Sequence, residues 1–237
     1  MTDALHAGTV LLQGAIAATL VVGLRRRDPS VVANAIVSLV AALTPAIAEA
    51  VLWTTLEVDV TFDAVLSLWV AAAGFFHMLG MLGWYDTVWW WDHVTHTVSA
   101  ALVAAVVYAS IVTVESHTAG FRLSKGGLIG VTFLFTMAGG VFWELLEVVA
   151  RDVSRRIGFE PVLKHYGKYD TPLDLVFDGV GALVVAAFDV RIFVPIFGQV
   201  PQFTKSLLVA SVALVVGGSI VMAVFLGYTR DLAWSSG

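Results

Sequence analysis

Apolar stretches of about 20 residues recur along the whole chain, and this repetition sets what it can fold into. About 20 apolar residues in a helix cross a hydrocarbon core of about 30 Å. Inside that core the backbone polar groups find no water, so a spanning segment must satisfy them internally. Seven such stretches fall at roughly 8–24, 31–53, 63–84, 93–114, 126–150, 172–193 and 205–228. Together they take up most of the 237 residues and leave no space for a separate soluble domain. Residues 1–237 are therefore expected to form one all-α domain, a polytopic transmembrane bundle. With 59% hydrophobic and 13% charged residues, an ordinary soluble fold is excluded.

Basic residues set the expected orientation. Arg25, Arg26 and Arg27 follow the first stretch, Arg151, Arg155, Arg156, Lys164 and Lys168 follow the fifth, and Arg230 lies in the tail. Only Arg122, Lys125, Arg191 and Lys205 fall on the opposite side. Because cytoplasmic loops carry the excess of Lys and Arg, the chain is expected to run N-out and C-in. The N-terminal segment has Asp3 and no base before its apolar run, so it does not read as a cleavable signal. The modest formal charge of −5, with bases placed for topology, gives nucleic-acid binding no support. Without cysteine there are no disulfides and no thiolate metal sites. The basic loop 151–171, with Tyr166, Gly167 and Tyr169, is a candidate cover for the cytoplasmic mouth or a contact for anionic lipid.

Ionisable side chains inside apolar stretches cost a few kcal/mol each and read as functional by default. His77, His96, Glu144 and Asp178 are expected at one depth on the cytoplasmic half. At 1.5 Å per residue they lie about 10, 5, 9 and 9 Å inside their helix ends. Asp92, His93, Glu147 and Asp174 sit about one turn nearer the water. Spacing puts Asp92 with His96, His93 with His96, and Glu144 with Glu147 on shared faces, and Asp170, Asp174 and Asp178 form a ladder. Helical bundles build metal sites from inward carboxylates and imidazoles on facing helices. The expected metal set is His77, Asp92, His93, His96, Glu144, Glu147, Asp174 and Asp178. Mixed N and O ligands without thiolate suit Zn, Fe or Mn.

Each residue also has an ordinary structural reading. Thr171-Pro172-Leu173-Asp174 fits a helix start with Thr171 as N-cap, and Asp92 can cap its own helix. Glu147 has Arg151 at i+4, His93 sits beside the Trp89–Trp91 belt, and His77 alone reads as a hydrogen-bonded interior histidine. Glu144 and Asp178 lie too deep for capping and have no base one turn away. They must be protonated, paired across helices, or bound to a cation, and they are the expected catalytic pair. Glu49 belongs to a different layer and has no assigned role. Gln13 is a candidate for interhelical hydrogen bonding. The seventh stretch carries no lysine in its interior, which removes a retinal Schiff base.

Trp91-Asp92-His93-Val94-Thr95-His96, Trp143-Glu144-Leu145-Leu146-Glu147, and Tyr169 through Asp174 to Asp178-Gly179-Val180-Gly181 carry a resemblance. With this motif combination, the stretch from the third to the sixth span resembles the YjdF-like family of prokaryotic inner-membrane proteins. The resemblance implies a multi-pass protein of the cytoplasmic (inner) membrane and groups the His, Glu and Asp positions together. It implies no activity. Three functions stay open. One is a metal-dependent enzyme acting on a lipid or isoprenoid, by hydrolysis, phosphotransfer or dimetal redox chemistry. The others are a divalent-cation or proton transporter, and a metal-stapled scaffold. Membrane lipid is the expected partner, and the oligomeric state is not readable.

Overall fold

A computed structural model describes residues 2–158, 161, 163 and 169–235. Of the lid expectation for 151–171, residues 159, 160, 162 and 164–168, with Lys164, Tyr166, Gly167 and Lys168 among them, fall outside the described residues. Seven long helices follow one another: α1 Thr2–Arg26, α2 Pro29–Leu56, α3 Ala64–Leu79, α4 Trp91–His117, α5 Lys125–Arg156, α6 Asp170–Ala187 and α7 Pro201–Ser235. The chain is thus an all-α multi-pass membrane bundle of about seven spans. Six of its helical segments are long and apolar enough to cross a membrane. The other, α6, carries Asp170, Asp174 and Asp178 within 18 residues. Its length of about 27 Å still approaches the thickness of a hydrocarbon core.

Local chemistry explains the boundaries. Arg27 turns the chain with φ 54°, and Asp28 then caps α2 by accepting from Ser30 N and Val31 N at 3.0 and 3.1 Å. Asp63 caps α3 through Val65 N, and Ser124 caps α5 through Gly127 N. The expected single helix over 63–84 changes character at Gly80–Trp84. There it becomes a π-turn, with Gly83 at φ 122°, before the short turn Tyr85–Thr87. The sixth span stops short of the expected residue 193 because Asp189 adopts φ 54°, and Val190 N closes on Val185 O at 3.1 Å. That bond is the longer of the two in a Schellman termination. The helix also starts earlier than expected, at Asp170, so Thr171 lies inside it and is not its cap.

Two apolar clusters organise the helices. Ile16, Val31, Ala35, Ala42, Ala71 and Met78 join α1, α2 and α3. Leu66 of α3 joins the alanines of α4, Leu128 of α5, and Ala182, Val185 and Ala186 of α6 in the larger cluster. Gln13 donates to Ala42 O at 2.9 Å across α1 and α2, the expected interhelical bond. Helix α4 is central: 67% of its most apolar stretch is buried, against none for α7. Its close partner is α6, where a Cβ on Gly181 would meet Ala101 N at 2.8 Å and Ala100 Cβ at 3.2 Å. Only glycine admits that approach, and it carries Asp174 and Asp178 toward the first turns of α4.

Candidate metal centre

His96 is the hub. Its Nδ1–H donates to Asp178 Oδ1 at 3.1 Å, which fixes the ring and leaves Nε2 facing the other way. Nε2 lies 3.7 Å from Asp174 Oδ1 and 3.9 Å from Asp92 Oδ1. Ligand atoms of Asp92, His96 and Asp174 all fall within 4.8 Å of one another, so this group can hold a metal ion. Around a tetrahedral ion with bonds of about 2.0–2.2 Å, neighbouring ligand atoms stand about 3.4 Å apart, so a contraction of a few tenths of an ångström would bring Asp174 and Asp92 to that separation from His96 Nε2. An imidazole anchored on one nitrogen by a carboxylate, with the other nitrogen free to ligate, is the usual arrangement around protein-bound metals.

The charge balance also calls for a cation. Asp174 is buried and its Oδ1 has no hydrogen-bond partner among the described residues. Asp178 is buried as well, pressed against the α5 backbone at Gly140, where a Cβ would collide with its carboxylate. Three carboxylates around one imidazole stay net negative even with that imidazole protonated. Further protons or a metal must compensate inside a low-dielectric site.

The remaining candidates take other partners. Glu144 Oε2 accepts the Thr171 hydroxyl at 2.5 Å, so the residue expected as an N-cap instead satisfies a buried carboxylate. Glu147 pairs with Arg151 Nη1 at 3.1 Å, as the i+4 spacing predicts, and accepts from Trp143 Nε1 at 3.0 Å. His93 stacks on Phe177 with ring centroids 4.2 Å apart and planes 9° from parallel. His77 is a hydrogen-bonded interior histidine. Its partners are Tyr85 Oη at 2.9 Å on Nδ1 and Asn34 Oδ1 at 3.0 Å on Nε2. Asn34 Nδ2 donates to Ser30 O, so its oxygen must face the ring. His77 therefore carries its proton on Nε2, and Nδ1 accepts from the Tyr85 hydroxyl.

Both groups open into one cavity of about 530 Å³. His77, Tyr85, Asp92, His96, Glu147, Asp174 and Asp178 line it, together with apolar residues of α2, α3, α4, α5 and α7. Glu144 and His93 are not among the lining residues. Sequence spacing gave no sign of Asn34 or Tyr85. Tyr85 reaches back to His77 only because the π-turn intervenes and Gly80, lacking a Cβ, lets the phenol ring lie against it. Glycines at 80 and 83 beside a span end were the one signal available.

A family model described as Predicted membrane protein (DUF2238) matches residues 7–194. The chain belongs to that family. The DUF2238 match agrees with the resemblance to YjdF-like membrane proteins, and Asp92, His96, Asp174 and Asp178 all lie inside it. It ends before α7, the peripheral helix. No curated protein and no solved structure matches the chain.

Proposed function

We propose that this DUF2238 protein is a membrane-embedded, metal-dependent enzyme acting on a lipid or isoprenoid substrate, with Asp92, His96 and Asp174 holding one divalent ion of Zn, Fe or Mn. The observation that carries the reading is the two-sided use of His96. Nδ1 is anchored on Asp178 and Nε2 faces two carboxylates, one of them buried and, among the described residues, unbonded at Oδ1. Asp92, His96 and Asp174 would supply three protein ligands to such an ion, the number that catalytic rather than closed structural sites use. A metal held there would supply Lewis acidity.

The chain's own residues take distinct roles. Asp178 is a positioning residue that holds the imidazole at its Nδ1 edge. His77 and Tyr85 offer a neutral hydrogen-bonded pair on the same cavity wall, suited to exchanging a proton with a substrate oxygen. Glu144 supports the α5–α6 contact through Thr171. The apolar lining by Val70, Leu102, Val103, Phe135 and Val215 supports a lipid substrate over transport, since an ion path needs polar groups beyond the site. The basic-residue distribution supports placing the centre on the cytoplasmic side.

Elemental analysis of detergent-purified protein tests the centre. About one metal per chain is expected, lost in His96→Gln and Asp92→Asn and kept in Glu144→Gln. Wild-type protein without bound metal would sink the reading. To separate enzyme from metal-stapled scaffold, metal-loaded wild type and Asp92→Asn would be incubated with a polar-lipid extract and the lipids followed by mass spectrometry. An unchanged lipid profile in both favours the scaffold.

A further inference from the structure

The cavity has a polar end and an apolar end, and their order along the helices selects a ligand. On α4 the lining runs from Asp92, Thr95, His96 and Ser99 to Leu102 and Val103. On α3 it runs from His77 to Val70, and on α5 from Glu147 to Phe135. In each case the polar residues occupy the same end of the bundle, the end at which α4 and α6 begin. His96 to Val103, and likewise His77 to Val70, is about 10 Å along a helix. A lipid in its own leaflet has this order: head toward the water, chain toward the midplane.

The cavity also reaches the surface that faces lipid. Helix α2 packs chiefly on α1 and α3, whereas α5 packs on α6, α7 and α4, and the cavity is lined from both sides, by Asn34, Val37, Ser38 and Ala41 of α2 and by Phe135, Gly139 and Trp143 of α5. Lining residues of three helices keep much of their surface accessible: Val37 of α2 by 64%, Val103 of α4 by 41% and Trp143 of α5 by 38%. Such a side opening admits a molecule already dissolved in the bilayer.

We propose that the cleft takes a single-chain amphiphile from the leaflet on the side where α4 and α6 begin. Its chain enters sideways between α2 and α5, and its phosphate or carboxylate head reaches the Asp92–His96–Asp174 group. This rests on the metal reading above, because an anionic head approaches those carboxylates only through a bound cation. The volume of about 530 Å³ lies within the usual 300–1,000 Å³ of a one-ligand pocket and fits one chain better than two. Asp174, buried and with no hydrogen bond at Oδ1 among the described residues, sits at the end where the head would arrive.

The test uses full-length protein in phosphatidylcholine nanodiscs with three photoactivatable probes that share one labelled chain. They are a fatty acid, a lysophosphatidic acid and a two-chain phosphatidic acid. The single-chain probes should label peptides of α2 and α4 around Val37 and Val103, and the stronger of the two tells a carboxylate head from a phosphate head. Ala41→Trp, filling the cleft, should cut this labelling about tenfold, the factor matching a typical overpacking cost. Val37→Trp, at an exposed edge where folding is not at risk, should cut it in the same direction. Labelling that survives both tryptophans, or a two-chain probe that labels the cleft equally well, overturns the proposal. Metal content measured on the same samples keeps the two readings apart. Stoichiometric metal with no cleft labelling overturns the lipid cleft alone, whereas cleft labelling without metal overturns the metal centre and the docking of an anionic head on it, and leaves only the sideways entry of the chain.

Discussion

Replacing Asp174 by asparagine should affect stability only when metal is present. Asp174 is 4% exposed and its Oδ1 makes no hydrogen bond among the described residues, so Asp174→Asn breaks none at that oxygen. In chelator-treated protein the buried carboxyl must be protonated or crowd Asp92. An amide costs about as much to bury as a neutral acid, so the change should stay within about 1 kcal/mol. With metal at a hundredfold excess over its dissociation constant, binding stabilises the native state by about 2.7 kcal/mol. Removing an anionic ligand and weakening binding about a hundredfold would leave about 0.4 kcal/mol of that, a loss of about 2 kcal/mol. By soluble-domain scaling this is roughly 4–8 °C in Tm. Thermal unfolding in detergent, with chelator and then with added Zn, Mn or Fe, reads the difference directly. Glu144→Gln is the control: its loss of the Thr171 bond should be the same in both conditions. An equal Tm change for Asp174→Asn with and without metal would refute the centre.

Three further outcomes are expected. Gly181→Ala should destabilise the protein by about 1–3 kcal/mol and lower metal content, because its Cβ would press on the α4 backbone at Ala101 and part Asp174 from His96; unfolding and elemental analysis check this, and a neutral result denies the close approach. Tyr108→Phe should matter only above acid pH. The Tyr108 hydroxyl, followed by Arg191, holds the Asp189 carboxyl below its usual range. That stability is present above the unfolded value of about 3.9 and lost as pH falls through the lower folded value, so wild type and variant should converge in acid. Solvent limits the effect to at most about 1 kcal/mol, and an unchanged gap at low pH would argue against it. Finally, cysteines introduced at 152 and at 59 should be labelled from the cytoplasmic and outer sides respectively, and reversal would overturn the N-out orientation.

Height along a helix and the face a residue shares were legible from sequence, because both follow from a fixed rise and a fixed turn per residue. The seven helices, the Glu147–Arg151 pair and the depth of His96 and Asp178 follow from that periodicity. The polar character of Gln13 in an apolar span announced a cross-helix bond. Which face of one helix meets which face of the next is set by packing, and only the tertiary structure decided it. Gly181 and Gly140 let α6 approach α4 and α5 closely, and the rotation they permit sends Asp178 to His96 Nδ1 while Asp92 and Asp174 gather at Nε2. The same rotation gives Glu144 to Thr171 and keeps it off the cavity wall. Glu49, without a role in the linear chain, accepts the Phe62 backbone N–H at 2.5 Å and so ties down the loop that follows α2. A π-turn that no periodicity foretells brings Tyr85 back to His77. Periodicity put His96 and Asp178 near enough in height to pair; contact between helices, through glycines that admit a neighbour's backbone, decided which groups meet, and it sets the expected same-depth residue Glu144 at Thr171, about 10 Å along α6 from Asp178.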